Sequence, residues 1–586
     1  MTRSRKRTLV LGSGLLVVAS AVYGCKDFLV SPPQGTLDEL SLANQDGVEA
    51  TLIGAYRLLG GWIPGVGAWG AASSNWPFGS VTSDDAYKGS DPADQAPITD
   101  IELYNWGTGG SESYLNDKWR SVYEGVTRSN ATLRLLNRVL EESPGEISDA
   151  DANGIRGEAL FLRAHYHFEA WKMWENIPYY TEEDTDFRKP NTGVDAIPLI
   201  LADLDEAIGL LPPTPRFEHA GRVTQWTARA YKGRVQVYSG DYPGGLTTLR
   251  EVVNGGPYAL EENFHQVWTG FQEFANGPET ILAFQASVND GNPAGDNANW
   301  GERLNFPHAG SPFGCCGFHQ PSQNLVNFFV VDANGLPVAL SDPSWNARDD
   351  NLAASAAVPL DPRLDWTVGR DGVPFKDWGQ HEPSWIRDRP FGGPYSPKKN
   401  VHESASGAQS NVGWNAQHLN SVNIHLYRYA DLLLLLAEAE VEAGALENAR
   451  AIVNQVRERA GVAAQGPGTN AGTIAVPIDD PSITWADYSI GLYPGPWGDQ
   501  AFARAAVRHE RRLELAMEGH RFFDLRRWGI APQVISDYLA EETTRRSYLT
   551  GAATFTDRHA LYPIPAVQIE LSRVGGEDRL QQNPGW

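Results

Sequence analysis

Residues 114–174 read YLNDKWRSVYEGVTRSNATLRLLNRVLEESPGEISDADANGIRGEALFLRAHYHFEAWKMW, and their pattern indicates two successive amphipathic helices. In its first half, apolar residues recur at steps of three, four or seven and so share one helix face: Trp119, Tyr123, Val126, Leu133, Leu136 and Leu140. A Ser-Pro-Gly sequence at 143–145 ends that helix. The second half predicts another helix whose apolar stripe is formed by Phe161, Ala164, Phe168 and Trp171. Two such helices cannot bury their apolar faces alone, so further pairs must stack on them.

Helical periodicity returns in pairs towards the C-terminus. The predicted pairs are 197–211 with 224–238 and 427–443 with 446–460, and a last long helix begins near Phe502 and passes Leu513 and Met517. These units are similar to tetratricopeptide repeats in length and shape. The sequence therefore predicts a mainly α fold, a tetratricopeptide-like paired-helix scaffold with long irregular loops and few short strands.

The N-terminus carries an export signal. A cluster of basic residues precedes an uncharged run from Leu9 to Val22, which is typical of a secretory leader and too short to span a membrane. Val22-Tyr23-Gly24-Cys25 is similar to a bacterial lipobox, in which the cysteine becomes the lipidated N-terminus. We predict a lipoprotein signal peptide at 1–24 and a diacyl anchor on Cys25, which gives stable attachment to the membrane surface. An ordinary secretory signal with an incidental cysteine is the alternative.

Charge and cysteine content exclude several classes of function. A formal net charge of −24 disfavours binding to nucleic acid and to anionic headgroups. Cys315 and Cys316 are adjacent, so they form either a strained vicinal disulfide or two free thiols in a glycine-rich turn. Neither arrangement suggests a metal site, because structural zinc needs four ligands. No metal or cofactor is expected.

Several phrases occur along the chain in the order found in the SusD/RagB family of outer-membrane nutrient-binding lipoproteins. The chain resembles that family in CKDFL at 25–29, GEALFLRA at 157–164, GRVT at 221–224, DPRL at 361–364, RYAD at 428–431 and QNPG at 582–585. The resemblance covers the mature chain. It implies a SusD-like domain at 25–586, with an N-terminal part at 25–275 and a C-terminal part at 276–586 that includes the loop-rich stretch 289–423.

The resemblance also implies a function. Members of the family are lipid-anchored at the outer membrane on the cell surface, and their partner is a SusC-like TonB-dependent transporter. Their ligand is usually a glycan and in some members a peptide. We therefore expect oligosaccharide capture without catalysis, and we expect neither nucleic acid nor a cofactor among the ligands.

The charged segment 508–527 invites an enzymatic interpretation, with Glu514 and Asp524 as a glycosidase pair. A general acid at neutral pH needs a carboxyl group whose pKa is raised. Six arginines surround these carboxylates and favour their ionised form. Charge pairs three or four residues apart on a helix explain the pattern without chemistry.

Two loop-rich stretches, 60–110 and 289–423, hold tryptophans that suit glycan binding. The ten indoles are Trp62, Trp69, Trp76, Trp106, Trp300, Trp345, Trp366, Trp378, Trp385 and Trp414. A sugar ring has one apolar C–H face that stacks on an indole, and its hydroxyl groups suit planar amides. Burial in a small loop core is the commoner fate of any single ring, but at least two of the ten are expected to line a ligand site. We select Trp76 with Asn75, Trp300 with Asn299, Trp414 and Trp378 as candidate glycan-binding residues.

Three other functions remain open from the sequence. The same scaffold could bind extended peptide through loop amides, although the pairing of tryptophan with asparagine favours glycan. A surface hydrolase would need carboxylates in an apolar cleft or a metal set. A protein-interaction scaffold would bind no small ligand.

Overall fold

The structure is a computed structural model and describes residues 42–107, 110–308, 310–348, 351–354, 358–414 and 416–586. Cys25 and the predicted signal peptide lie outside these ranges, so lipidation stays a prediction. Among the described residues, no helix combines the length and the apolar character needed to cross a bilayer.

Helices dominate both ends of the chain. The N-terminal block contains α1 (Gln45–Tyr56), α2 (Ala96–Glu102), α3 (Ser111–Glu142), α4 (Asp149–Trp174), α5 (Ala196–Leu210), α6 (Gln225–Tyr238) and α7 (Tyr242–Gly255). Short helices α8 (Gln323–Phe328), α9 (Leu364–Thr367) and α10 (Arg389–Gly392) lie in the loop-rich stretch. The C-terminal block contains α11 (Tyr429–Glu442), α12 (Leu446–Ala460), α13 (Gln500–Leu515), α14 (Arg521–Arg527), α15 (Ala531–Arg545) and α16 (Ala566–Leu571).

Helix α4 is the centre of the N-terminal stack, because it packs against α3 on one side and α5 on another, with α1 in contact as well. The face predicted for α3 is confirmed, since Val126, Leu133 and Leu136 are buried. The single stripe predicted for α4 is too narrow, because its polar residues are buried as well. Arg163, for example, is buried and donates to both carboxylate oxygens of Asp203 at 2.7 Å.

The paired-helix scaffold is confirmed, with α5–α6 and α11–α12 close to their predicted bounds. Helices α1, α7 and α15 were not predicted. The start of α7 contains proline and glycine at 243–245, which are typical of a turn, so periodicity does not predict this helix. Asp241 caps its N-terminus by accepting from Gly244 N at 3.0 Å. Helix α13 ends at Leu515, so Met517, whose φ is +65°, lies in the following turn and not on the helix.

Strands are short and pair in twos. They are β1 (Ala86–Gly89), β2 (Thr280–Phe284), β3 (Phe318–Pro321), β4 (Pro359–Leu360), β5 (Val368–Gly369), β6 (Ser396–Pro397), β7 (Ile424–Arg428), β8 (Ala463–Gln465), β9 (Ala475–Pro477) and β10 (Asp487–Tyr488). The pair β2–β7 is antiparallel and joins the end of the N-terminal block to the start of α11. The antiparallel pair β1–β3 joins the two loop-rich stretches.

A buried ion-pair network holds the C-terminal block together. The carboxylate of Glu514 on α13 is fully buried and meets Arg428 at 2.7 Å, Arg363 at 3.0 Å and Arg459. Burial alone raises the pKa of Glu514, but the three guanidinium groups outweigh it and hold the pKa below its usual range. Glu514 is therefore an ionised anchor, and its partners come from other segments of the chain instead of from positions three or four away on α13.

The network continues through further residues that share this burial. Arg428 also meets Glu279 at 2.6 Å and Glu518 at 2.8 Å, and Lys399 meets Glu518 at 2.6 Å. Arg363 and Arg457 both bind Glu510, at 2.7 Å and 2.8 Å. These pairs fix α12, α13, β7 and the loop-rich stretch relative to one another.

Replacing Glu514 by Gln should lower the free energy of unfolding by about 3–5 kcal/mol, because three buried arginines would lose their shared counter-charge. Denaturant unfolding of the purified protein measures this. Glu142→Gln is the matched control, since Glu142 pairs with Arg138 at 3.1 Å on the surface and should matter by less than about 1 kcal/mol. Equal losses in the two variants would contradict the role assigned to the network.

The loop-rich stretch has a polar anchor of its own at Asp371. Its carboxylate accepts from His381 at 3.0 Å, from Arg389 at 2.8 Å and from Asn351 at 2.7 Å. Burial raises the pKa of Asp371, but these hydrogen bonds and the charge of Arg389 outweigh burial and lower the pKa to about 2. The segments around 351, 371–381 and 389 are thereby tied together.

This depressed pKa predicts a pH-dependent stability. A carboxylate whose pKa is about 2 when folded and near 3.9 when unfolded stabilises the fold above pH 4 and loses that contribution as the pH falls to 2. Between pH 4.5 and pH 2, wild type should lose about 2 kcal/mol more of its unfolding free energy than Asp371→Asn does. Urea unfolding of both proteins at the two pH values tests this, and parallel losses would refute it.

Candidate functional site

Three indoles and two arginines from separate loops form one aromatic surface, which we call the indole patch: Trp62, Trp300, Trp414, Arg57 and Arg303. The rings of Trp62 and Trp300 stack with their centroids 5.3 Å apart and an interplanar angle of 16°. Trp414 is 62 % exposed, more than any other of the ten loop tryptophans. The structure thus brings together two of the predicted residues, Trp300 and Trp414, and adds Trp62.

Arg303 lies beneath the outer indole of the patch. Its guanidinium carbon is 3.5 Å from the ring centroid of Trp414 and 5.2 Å from that of Trp300. Such contacts between a cation and an aromatic face contribute about 0.5–2 kcal/mol each. Arg303 thus bridges the two rings across the loops that carry them, and it is itself only 1 % exposed.

At the other end of the patch, Arg57 contacts Trp62 and Phe284, with its guanidinium carbon 5.7 Å from each ring centroid. Beyond Arg57 lies an apolar groove of about 340 Å³ that is lined by Ile53, Tyr56, Phe284 and Asn297 among others. The patch therefore continues into a cleft, which gives it room for a ligand longer than one ring system.

The turn that carries Trp300 and Arg303 is held from behind by Glu302. This carboxylate is 1 % exposed and accepts from Ser74, from Asn305 at 2.7 Å and from Asn400 at 3.1 Å. Burial raises the pKa of Glu302, with only neutral donors to counter the effect. Glu302 therefore holds in place the turn from which Arg303 reaches the indoles.

A glycine places Trp414 over Arg303. Gly413 has φ +93°, and a Cβ added there would come within 2.6 Å of the carbonyl oxygen of Ala294. The neighbouring Gly295 carbonyl accepts from the indole nitrogen of Trp300 at 2.8 Å. The loops around 295 and 413 are therefore packed together, and only glycine fits at 413 without moving Trp414.

The selection of Trp76 and Asn75 as ligand contacts is wrong. Trp76 is 0 % exposed and donates its indole N–H to the carbonyl oxygen of Gly301 at 3.0 Å. Asn75 is buried, adopts φ +57° and donates to Glu169 at 3.0 Å. Trp76 thus supports the turn at 301 from inside, because the short π-helical turn Trp76–Val81 packs into the core.

The prediction that Asn299 contacts the ligand is also wrong. Its side chain is buried and donates to the carbonyl oxygen of Val422 at 3.3 Å, while its backbone N–H donates to Asn420 at 3.0 Å. These bonds fix the entry to the Trp300 turn.

Trp378 lies apart from the indole patch. Its half-buried ring packs on Phe313, with centroids 4.8 Å apart, and its indole nitrogen donates to His402 O at 2.8 Å. One side of Trp378 lines a shallow cavity of about 500 Å³ together with Gln380, Thr469 and Trp485. Trp378 stays a prediction as a glycan contact, in a groove of its own.

Adjacent cysteines form a disulfide near the patch. Cys315 and Cys316 are bonded, and the sulfur atoms lie within 4.8 Å of a ring nitrogen of His418. Nε2 of His418 contacts the carbonyl oxygen of Phe313 at 2.8 Å. Because a carbonyl only accepts, Nε2 carries the proton and Nδ1 presents a lone pair.

The geometry does not support the hypothesis that Glu514 and Asp524 form a glycosidase acid/base pair. Asp524 is buried and accepts from Arg511 at 2.6 Å and from Arg527 at 2.9 Å, so its pKa lies below the usual range despite burial. Glu514 is likewise held ionised. Neither carboxyl group can act as a general acid at neutral pH, since a general acid must be protonated there.

Truncation of Trp76 should lower the free energy of unfolding much more than truncation of Trp414. Trp76→Ala should lower the free energy of unfolding by about 3–5 kcal/mol, because it leaves a cavity in the core and an unpaired Gly301 carbonyl. Trp414→Ala should lower it by only about 0.5–1 kcal/mol, because most of that ring faces water and it loses chiefly the contact with Arg303. Denaturant unfolding of the two variants decides, and a large loss for Trp414→Ala would show that its ring is buried in solution.

The sequence is similar to two protein-family models and to several known proteins. Residues 278–586 match the model of the SusD family, and residues 77–237 match a model described as starch-binding associating with outer membrane. SusD-like protein P25 of Formosa agariphila is 22 % identical over 585 residues, which covers 94 % of this chain and 95 % of that one.

Solved structures show the same fold. A laminarin binding SusD-like protein is 23 % identical with a TM-score of 0.62, covering 93 % of this chain and 100 % of its own. Surface glycan-binding protein A from Bacteroides fluxus is 22 % identical with a TM-score of 0.63, covering 92 % and 99 %.

Proposed function

The chain belongs to the SusD family, and we propose that it is a lipid-anchored protein of the cell surface that captures oligosaccharides on the indole patch and delivers them to a TonB-dependent, SusC-like outer-membrane transporter. Like its family, the chain is a binding protein and not an enzyme. The proposal concerns what it binds, where it binds it and what receives the ligand.

The indole patch is the observation that carries the proposal. Its outer ring, Trp414, turns a largely open face to solvent, and the stacked rings of Trp62 and Trp300 stand beside it. A large exposed aromatic surface on a folded protein marks a binding site, since water disfavours it. Flat indoles complement the C–H face of a sugar ring, and several weak platforms in a row suit reversible capture better than tight storage.

The relatives support a saccharide as the ligand. One similar structure is described as laminarin binding and another as a surface glycan-binding protein, and the model that matches residues 77–237 is described as starch-binding. Each description belongs to those proteins. Transferred to this chain, they favour a glycan over the peptide that some family members take.

The cellular location rests on two observations. Cys25 stands in a lipobox-like sequence, and the family matched by residues 77–237 is described as associating with the outer membrane. An anchor of two acyl chains would hold the helical scaffold at the membrane surface. Delivery to a SusC-like transporter follows from the family resemblance.

Affinity electrophoresis of the mature domain against starch, laminarin and other neutral and acidic polysaccharides tests the proposal. The protein should be retarded without releasing reducing ends. Trp300→Ala and Trp62→Ala should each weaken binding roughly 5-fold, because each removes about 1 kcal/mol of stacking.

Trp226→Ala is the control, because Trp226 lies on α6, stacks with Arg229 and takes no part in the patch. Release of reducing ends would establish a hydrolase. If the protein binds no glycan but binds peptides by calorimetry, it is a peptide-binding protein. If it binds neither, only the function of a protein-interaction scaffold is left.

A further inference from the structure

Arg303 differs from the other buried arginines of the protein in what it contacts. Arg363, Arg428 and Arg511 each bind buried carboxylates. The Nε, Nη1 and Nη2 atoms of Arg303 are buried and have no hydrogen-bond partner among the residues that the structure describes. A guanidinium group offers five N–H donors in a rigid fork, so Arg303 presents a full set of unused donors.

This arrangement is unfavourable unless something else binds there. Taking a charge out of water costs free energy, and two indole faces return only a part of it. Burial lowers the pKa of Arg303 to about 10, with no carboxylate acting against it, so the side chain is still a cation at neutral pH. An unpaired buried cation in a binding surface would be stabilised by a ligand that carries a negative charge.

A second unused polar atom lies close by. Nδ1 of His418 is buried without a partner among the described residues, and as argued above it presents a lone pair. Burial and the charge of Arg303 lower the pKa of His418, which keeps the imidazole neutral. Besides the cationic donor fork of Arg303, there is therefore one neutral acceptor on a residue that interacts electrostatically with Arg303.

We propose that Arg303 binds the carboxylate or sulfate of an acidic sugar whose ring stacks on the indole patch, so that the glycan captured by this protein is anionic. The proposal rests on the proposed function and narrows its ligand class. Two oxygens of a carboxylate or sulfate match the guanidinium fork, while Nδ1 of His418 accepts from a hydroxyl of the same sugar. Trp414 lies over Arg303, so its indole moves aside as the anion enters.

The negative charge of the whole chain does not oppose this ligand strongly. At physiological ionic strength, charges more than about 8 Å apart in solvent are largely screened. Glu302, the neighbour of Arg303 in sequence, is engaged by Ser74, Asn305 and Asn400. The other acidic residue in contact with the patch, Asp296, accepts from Arg57 through its backbone carbonyl. No carboxylate pairs with Arg303 among the described residues.

Isothermal titration calorimetry with three hexasaccharides tests the proposal: an oligogalacturonate, a sulfated galactan hexamer and neutral laminarihexaose. At least one acidic hexamer should bind wild type about 10-fold or more tighter than the neutral one, and its affinity should fall as salt increases. The two acidic probes distinguish a carboxylate from a sulfate as the recognised group.

Arg303→Met should abolish the preference for the acidic hexamer, while Arg303→Lys, which keeps the charge but loses the fork, should retain part of it. A merely structural arginine would lower the melting temperature when replaced. Arg303→Met should instead leave it unchanged or raise it, because the variant removes an unpaired buried charge. Arg229→Met is the matched control, since Arg229 stacks on Trp226 outside the patch.

The outcomes separate this inference from the proposed function. Equal affinity for acidic and neutral hexamers, or acidic binding that survives Arg303→Met, overturns the inference and leaves glycan capture standing. Absence of binding to all three hexamers and to the polysaccharide panel overturns both. Loss of the acidic preference in Arg303→Met, so that the acidic and neutral hexamers bind the variant with similar affinity, supports both.

Discussion

The buried ion pairs of Glu514 with Arg363, Arg428 and Arg459 fix the main elements of the C-terminal block relative to one another. The four side chains come from α13, from the segment before α9, from the end of β7 and from α12. Ion pairs taken out of water contribute little net stability, but a mismatched member is strongly unfavourable, so the network admits one relative placement of these elements. The loop-rich stretch can be irregular because its two ends are fixed by this network.

Local periodicity was enough to predict the scaffold. The face of α3, the pair α11–α12 and the break at 143–145 follow from residue spacing, because a long amphipathic helix carries its own signal. Helix α4 was predicted as a helix but with too little burial, since its surroundings on every side come from other helices. Helix α7 was missed because glycine and proline at its start look like a turn, although Pro243 is well suited to a first helical turn.

The candidate site was only half predictable. Choosing tryptophans beside asparagines selected Trp300 and Trp414, which the structure brings together. It also selected Trp76, Asn75 and Asn299, which are buried. Nothing in the sequence around 76 separates an indole that faces water from one that holds a turn, because that depends on Gly301. The stack of Trp62 on Trp300 joins the two loop-rich stretches, so no local pattern indicates it. The signal that could have pointed to Arg303 is its position three residues after Trp300, which suits a cation stacked on an indole in a tight turn.

The β2–β7 pair has a consequence for how the polypeptide reaches its final form. Glu279, one residue before β2, ends in contact with Arg428 and Arg459, and Tyr429 donates its backbone N–H to the Glu279 carbonyl. Glu279 and Arg428 are 149 residues apart along the chain, so β2 has no strand to pair with until the residues near 428 are in place. The first seven helices can pack together before that, because their partners are close in sequence. The N-terminal block is therefore completed only when the C-terminal block reaches it, which makes the two blocks one cooperative unit.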